Sequence, residues 1–334
     1  MTSFFNPSGY KTKLRNYRLF RKASQQQGLK LLAVELAFGR TPFELAKGDA
    51  DILIRLRSNS VMWQKERLLN VGFENLPKDC DKVAWLDCDI VFSHPGWVQE
   101  TADLLEHFVV VRPYSMGVRL LEGVTYVPAK DVVRLEGRDN HKIFSTMSRM
   151  PTRGDFGLAC AIRRSVLKKH GLYDKMILGS ADTVIHNAFF LGKSSFTRAQ
   201  LPGGLLRDQN RWAKAVYADV RGSVSSAKGL AYHLWHGDHQ QRYHIDRHVL
   251  NDYAFNFRKD IKIDRQGCWT WSSRKKELHD ALKDFFRVRN EDGDQIPDFK
   301  DRKIQRLRAQ ISELKDELYS LKHKPIGRRS AGRH

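Results

Sequence analysis

The chain has 334 residues, 41% hydrophobic and 10% aromatic, which suits one large core or two modest ones and excludes a disordered polymer. Lys and Arg number 58 against 38 Asp and Glu, and the resulting net charge of +20 points to an anionic partner. No apolar run approaches the ~18–20 residues of a membrane span, the opening MTSFFNPSGYKTKLRNYR lacks the apolar stretch of a signal peptide, and Cys80, Cys88, Cys160 and Cys268 show neither disulfide-framework nor zinc spacing. The expectation is a reduced, cytoplasmic chain, in a host's cytoplasm if phage-encoded.

In chain order, residues 11–27 are polar and basic without Pro or Gly and predict an exposed helix. LKLLAVELAF (29–38) predicts a buried strand closed by Gly39 and Pro42, and ADILIRLR (50–57) a second one. Ser58 or Ser60 is placed to cap a helix running through Trp63, Glu66 and Asn70 and ending near Pro77. KVAWLDCDIVF (82–92) reads as one apolar strand stopped by His94-Pro95-Gly96, followed by a helix over Trp97–His107 and a strand in FVVVRPY (108–114). Alternation of this kind predicts an α/β fold, a largely parallel sheet covered by helices. Beyond it, Ile304, Leu307, Ile311, Leu314, Leu318 and Leu321 recur at spacings 3-4-3-4-3. That seam predicts either a parallel homodimer through 304–321 or one amphipathic helix packed on the body. A basic tail, 325–334, is expected to be disordered.

The charge is uneven. Residues 1–30 carry seven Lys/Arg and no acid, while 299–334 carry eleven bases and four acids. Each end is therefore +7, leaving only six of the twenty charges for residues 31–298.

The sharpest chemical feature is Asp87-Cys88-Asp89 between VAWL and IVF. Two carboxylates in apolar surroundings are costly unless a cation neutralises them. At a strand's carboxyl end, where open α/β sheets place ligands, such a pair suits Mn²⁺ or Mg²⁺ gripping a diphosphate; the alternative is a strand end whose acids pair with arginines. His233, His236, His239, His244 and His248 lie within sixteen residues. One of them completing a divalent site beside Asp87 and Asp89 needs the fewest assumptions. On a strand His233 and His236 would face opposite sides, so a single ligand, His236, is expected. Arg55 and Arg57 share one strand face, where they would meet phosphate or pair with acids. A DxDx[TV] phosphatase fits DCDIV only loosely, since that motif normally stands near the N-terminus.

WLDCDIVF resembles the DxD strand of GT-A glycosyltransferases, which bind a nucleotide-sugar diphosphate through a metal. WQKERLLN (63–70) is similar to their helix after the third strand, and GDFGLACAIRRSVLKKHGLYDKMILGSADTVI (154–185) to the stretch that ends in the catalytic base of inverting members. HLWHG (233–237) is similar to their C-terminal histidine motif. The resemblance covers roughly residues 1–270 and implies a GT-A, Rossmann-like, mostly parallel mixed sheet with helices on both faces. It implies a catalytic base at Asp182, metal ligation by Asp87, Asp89 and His236, and donor contacts from Asn6, Pro7, Glu35, Arg57, Glu66, Asn70 and Asp87. A helix cap is the competing reading of Asp182, and for Glu35 a salt-bridged strand carboxylate stands level with the donor contact. Ser180-Ala181 stands where many relatives carry Glu-Asp, and Asp155-Phe156-Gly157 replaces the common double glycine of the acceptor site. The organisation implied is a catalytic domain at 1–270, a helical extension at 271–298, a basic amphipathic helix or coiled coil at 299–324, and the tail.

Two basic ends suit a polyanionic acceptor. GT-A-like enzymes of kinetoplastids and phages glycosylate hydroxymethylated pyrimidines in DNA, and that acceptor is favoured here. The alternatives are an anionic surface polysaccharide or lipid-linked glycan and, in another class, a non-catalytic dimeric nucleic-acid-binding protein.

Overall fold

The computed structural model describes residues 1–126, 143–145, 157–237 and 249–293, with Ile311, Leu314 and Lys315. Asp155, Phe156, His239, His244, His248, most of the 304–321 seam and the 325–334 tail lie outside the described residues.

Strands β1 (Thr2–Phe5), β2 (Leu32–Phe38) and β3 (Ile52–Ser58) pair in parallel. At β4 (Lys82–Leu86) the Met1 nitrogen donates to the Ala84 carbonyl (2.8 Å) and the Leu86 N–H to the Met1 carbonyl (3.0 Å), the alternation of a parallel ladder. Beyond β4 the sheet continues through β9 (Ala159–Arg163), β6 (Val110–Arg112) and β10 (Val224–Ser226), and only β9 opposes the others. The order β3-β2-β1-β4-β9-β6-β10 is the mostly parallel mixed sheet expected. A smaller sheet packs beside it in the order β5 (Ile90–Phe92), β11 (Leu230–His233), β7 (Met116–Arg119) and β8 (Ile143–Ser145). A third pairing joins β12 (Ile261–Ile263) to β13 (Trp269–Trp271).

Among the described residues of 1–293 the α-helices are α1 (Lys11–Gln26), α2 (Lys65–Glu74), α3 (Trp97–His107), α4 (Arg164–His170), α5 (Ala181–Leu191), α6 (Gly203–Val220), α7 (Val249–Asp252), α8 (Phe257–Asp260) and α9 (Lys276–Arg287). They cover both faces of the main sheet, because alternate strand residues point to opposite sides. Leu32, Val34, Leu36 and Phe38 of β2 join one core with α2, α5, α6 and α9, whereas Ala33 packs with Tyr17 of α1 on the other side. Leu105 of α3 covers Val111 and Ala161 on that second face. Every residue of β2 is buried, as its continuous apolar run demands.

Three local expectations are corrected. KVAWLDCDIVF is not one strand: it breaks after Leu86, and β5 pairs in the other sheet. Helix α1 is not wholly exposed, for Tyr17 (0%) and Phe20 (1%) are buried, and the basic N-terminal stretch is a helix packed on the body. Helix α2 starts at Lys65, since the Ser60 hydroxyl is drawn instead to the Trp271 N–H (3.0 Å) and Gln64 pairs with the Trp269 backbone.

Residues 276–293 fold back onto the same body. Leu278, Leu282 and Phe286 of α9 enter the main core, with Phe286 stacked on Trp63 at 6.2 Å. Both carboxylate oxygens of Asp292 accept the first N–H groups of α1, from Lys11 (2.9 Å) and Thr12 (2.7 Å). Helix α1, whose own N-cap side chain makes no such bond, is thus capped from the far end of the chain.

Candidate functional site

Asp87-Cys88-Asp89 forms the turn by which the chain leaves β4 at its carboxyl end and crosses into β5. The two carboxylates consequently serve different neighbourhoods. Asp87 donates its N–H to the Leu158 carbonyl (2.7 Å) and accepts the Leu158 N–H at Oδ2 (3.1 Å). Leu158 has a φ of +65°, a left-handed conformation rarely taken by a branched residue and held here by its surroundings. Arg112, buried at the end of β6, donates to the Gly157 (2.8 Å) and Ala159 (3.0 Å) carbonyls and faces His186 Nδ1 of α5 at 3.1 Å. It locks the 157–159 segment between β4 and α5.

On its other side Asp87 pairs with the Lys65 ammonium at the start of α2. A narrow cleft is lined by Lys65, Glu66, Asp87, Arg112, Gly157 and Asp182, among others. Asp182 is the second residue of α5, entered through Ser180 at a φ of +70°, and its Oδ1 accepts the Thr183 N–H (2.8 Å). Its position beside the cleft thus coexists with a local capping bond. Burial works against the Lys65 charge, but Asp87, Glu66 and Asp182 outweigh it and the ammonium is held protonated. Burial pushes Glu66 up to about 8, opposed by Lys65 and reinforced by Asp182, so at neutral pH it is largely a protonated acid. For Asp87, burial and the nearby Asp89 act upward and Lys65 downward, and the net shift is upward.

Asp89 faces the smaller sheet. Its Oδ2 lies 3.2 Å from His236 Nε2 and its Oδ1 3.5 Å from His233 Nε2, with the two imidazole nitrogens 3.1 Å apart. Here the expectation of a single facing histidine is corrected. Strand β11 ends at His233, the Leu234 N–H bonds the Asp89 carbonyl (2.8 Å), and the chain then turns, so strict alternation no longer applies. One ligand atom from each of Asp89, His233 and His236 fits within 4.8 Å. This mixed oxygen and nitrogen set fits a first-row divalent ion such as Mn²⁺ better than Mg²⁺, which favours all-oxygen coordination. Glu291, beyond α9, reaches within 3.7 Å of His236 Nδ1 and is itself bound by Arg289 (2.6 Å) and Lys13 (3.3 Å).

The other sequence-selected residues lie elsewhere. Asn6 folds the loop after β1, bonding Tyr10 and Glu44 (3.2 Å), with Pro7 beside it. Glu35 is in the middle of β2, not at its end, accepting the Glu44 and Leu45 N–H groups and facing Arg55 at 3.6 Å. Arg57 donates to the Gly39 (2.7 Å) and Thr41 (2.8 Å) carbonyls and lies over the Phe43 ring. These residues brace the 39–45 segment. Asn70 bonds the Leu172 carbonyl (2.9 Å) and Asp174 (3.1 Å), tying α2 to the segment before α5. Sequence reasoning did not select Lys65, Arg112, His233 or Glu291 as site residues. WQKERLLN and HLWHG contain the first and third, but nothing local in the sequence marks Arg112 or Glu291.

His186 yields a stability prediction. Burial, with Arg112 adding to it, lowers its imidazole to about 3. Between the ordinary value of 6.5 and about 3 the unfolded chain binds more protons than the folded one, so stability falls as pH drops through that window, by up to ~1.4 kcal/mol per unit. His186→Asn, which retains an acceptor for Arg112, is expected to shrink the melting-temperature difference between about pH 7 and about pH 5 by a few degrees. An unchanged difference would contradict a neutral buried His186.

No family model matches the chain, and no curated protein matches its sequence. Among solved structures it is similar to S. aureus TarS 1–349, at 10% identity and a TM-score of 0.36 over 86% of this chain and 69% of that one. The same protein in complex with UDP-GlcNAc gives 10% identity and 0.37 over 85% and 70%. A 4-diphosphocytidyl-2C-methyl-D-erythritol synthase from Anaerococcus prevotii gives 10% identity and 0.30 over 68% and 87%. The reading of the site therefore rests on this chain's own residues.

Proposed function

We propose that the chain is a metal-dependent glycosyltransferase. It moves a sugar from a nucleoside-diphosphate sugar to a hydroxyl on an anionic acceptor, with hydroxymethylated pyrimidines in DNA favoured and an anionic surface polysaccharide or lipid-linked glycan as the alternative. The observation that supports this reading most is an adjacency. A single Asp-Cys-Asp turn at the carboxyl end of a central strand separates a charge-dense cleft holding Asp182 from a carboxylate–histidine set fit for a divalent ion.

Asp89, His233 and His236 would hold the ion, with Asp87 across the turn. Bound there, it supplies positive charge to the leaving diphosphate. The protonated Lys65 and the N-terminal end of α5 add positive potential beside the cleft. The Asp182 carboxylate takes the proton of the attacking acceptor hydroxyl as that oxygen closes on the anomeric carbon. Glu66, a neutral acid near pH 7, adds little negative charge next to the donor. Asn6, Pro7, Glu35 and Arg57 shape the nucleotide side through the 39–45 segment, and Asn70 positions the approach to α5. The 155–157 stretch contacts the acceptor, with Gly157 held by Arg112.

The test is to incubate the protein with Mn²⁺ and a panel of nucleoside-diphosphate sugars. Release of nucleoside diphosphate is measured alone, with hydroxymethylated DNA, and with anionic polysaccharide. One donor is expected to turn over, faster with modified DNA. No release from any donor would overturn the enzyme reading, and stimulation by the polysaccharide alone would remove DNA as the acceptor.

A further inference from the structure

Helix α1 has two distinct faces. Its buried side carries Tyr17 and Phe20 and, through the Asn16 amide to the Trp235 carbonyl (2.9 Å), leans on the loop that presents His236. Its other side exposes Lys11, Arg15, Arg18 and Lys22. The spacings of 4, 3 and 4 residues keep these cations on one face. None of the four side chains enters an ion pair among the described residues. Acids that neutralise other cations of this helix are engaged elsewhere: Asp51 binds Arg21 (2.8 Å), Glu291 binds Lys13 (3.3 Å), and Asp292 is occupied by backbone N–H groups. Beside the cations runs an open groove of about 520 Å³, with Leu14 and Leu19 in its wall and Glu44 and Tyr10 at one end.

We propose that this groove and its cationic stripe form a binding track for one phosphodiester strand of a nucleic acid, leading toward the Asp89–His236 site. The proposal deepens the reading of the function given above and rests on it for the track's purpose. The dimensions agree. The eleven helical rises from Lys11 to Lys22 span ~16 Å, and one DNA strand carries a phosphate every ~3.4 Å along the axis. Four flexible cations thus face about five phosphates. Two of the four are arginines, whose planar forks pair bidentately with phosphate. The side-chain stems of the stripe and the half-buried leucines offer apolar surface to sugar rings, and phosphate contacts of this kind fix the strand without carrying sequence information. The groove along α1 and the cleft beside Asp182 share no lining residue, so a strand held on the stripe leaves the cleft open to the donor.

The experiment uses the full chain and a fluorescein-labelled DNA duplex, with anisotropy measured over a salt series. The double variant Arg15→Gln/Arg18→Gln is expected to bind about tenfold more weakly near ~0.1 M salt. The slope of log affinity against log salt should fall by about two, one per lost phosphate contact. Mn²⁺-dependent donor hydrolysis without acceptor should match the parent, because neither arginine lies at the cleft or the ligand set. Unchanged affinity and slope would overturn the track and leave DNA binding to the basic C-terminal end. Equal weakening toward heparin, at equal parent affinity, would overturn the commitment to a phosphodiester. If the parent releases nucleoside diphosphate from no donor while the double variant still loses DNA, the transferase reading fails and the track stands.

Discussion

Asp89→Ala is expected to remove Mn²⁺-stimulated sugar transfer, lowering kcat/KM by about a thousandfold, ~4 kcal/mol of transition-state stabilisation. The loss follows from geometry, because Asp89 supplies the only carboxylate of the ligand set and both histidines face it, at 3.2 and 3.5 Å. Without that charge the two imidazoles are a weak pair for Mn²⁺. The parent is expected to gain melting temperature when Mn²⁺ is added, and the variant should lose that gain. The fold should survive, since the contact Asp89 makes with Leu234 runs through its backbone carbonyl. A parent-like Mn²⁺ shift in the variant would move the ion away from this group. Loss of the shift together with retained transfer would mean that the reaction does not depend on the ion held there.

Asp182→Asn is expected to leave donor KM and the Mn²⁺ shift near the parent values while kcat falls about 10²–10⁴-fold, the range for removing a positioned base. Asparagine keeps the shape and an acceptor oxygen for the Thr183 N–H, so the start of α5 should persist. It cannot take a proton. The same split between kcat and KM separates a base from a helix cap, whose loss would lower stability by about 1 kcal/mol without a selective effect on turnover. Retention of kcat within tenfold would sink the assignment of Asp182. Asp182→Asn also tests the cleft's electrostatics, because it removes one of the acidic groups that hold Lys65 protonated.

The strand–helix alternation from 29 to 114 was legible because β2, β3 and α3 carry strong periodic or continuous apolar signals. The break at Asp87 was not legible. VAWL and IVF are each apolar enough to belong to one strand, and only pairing with different partners, β9 for one and β11 for the other, separates them. Asp87, Asp89, Asp182 and His236 were all selectable from residue type and resemblance. Which of them meet was not. The sequence suggested a shared ligand role for Asp87 and Asp89, whereas the fold gives Asp87 to Lys65 and Asp89 to two histidines. Glu35 and Arg57 show the converse, residues of suggestive type whose hydrogen bonds go to the 39–45 segment.

By itself, the sequence determined the α/β class, the carboxylate pair at the edge of an apolar strand, and a charge excess weighted to the two ends. Those properties follow from composition and local periodicity, which neighbouring residues set. The tertiary structure alone decided that the first basic end is a packed helix with a one-sided cationic stripe. It also decided that Asp292 caps that helix and Glu291 approaches His236 from some 55 residues away in the chain, and that β11 ends where both histidines can face Asp89. These arrangements depend on where distant segments meet, and burial and pairing across the whole sheet fix those meetings, not the preferences of any short stretch.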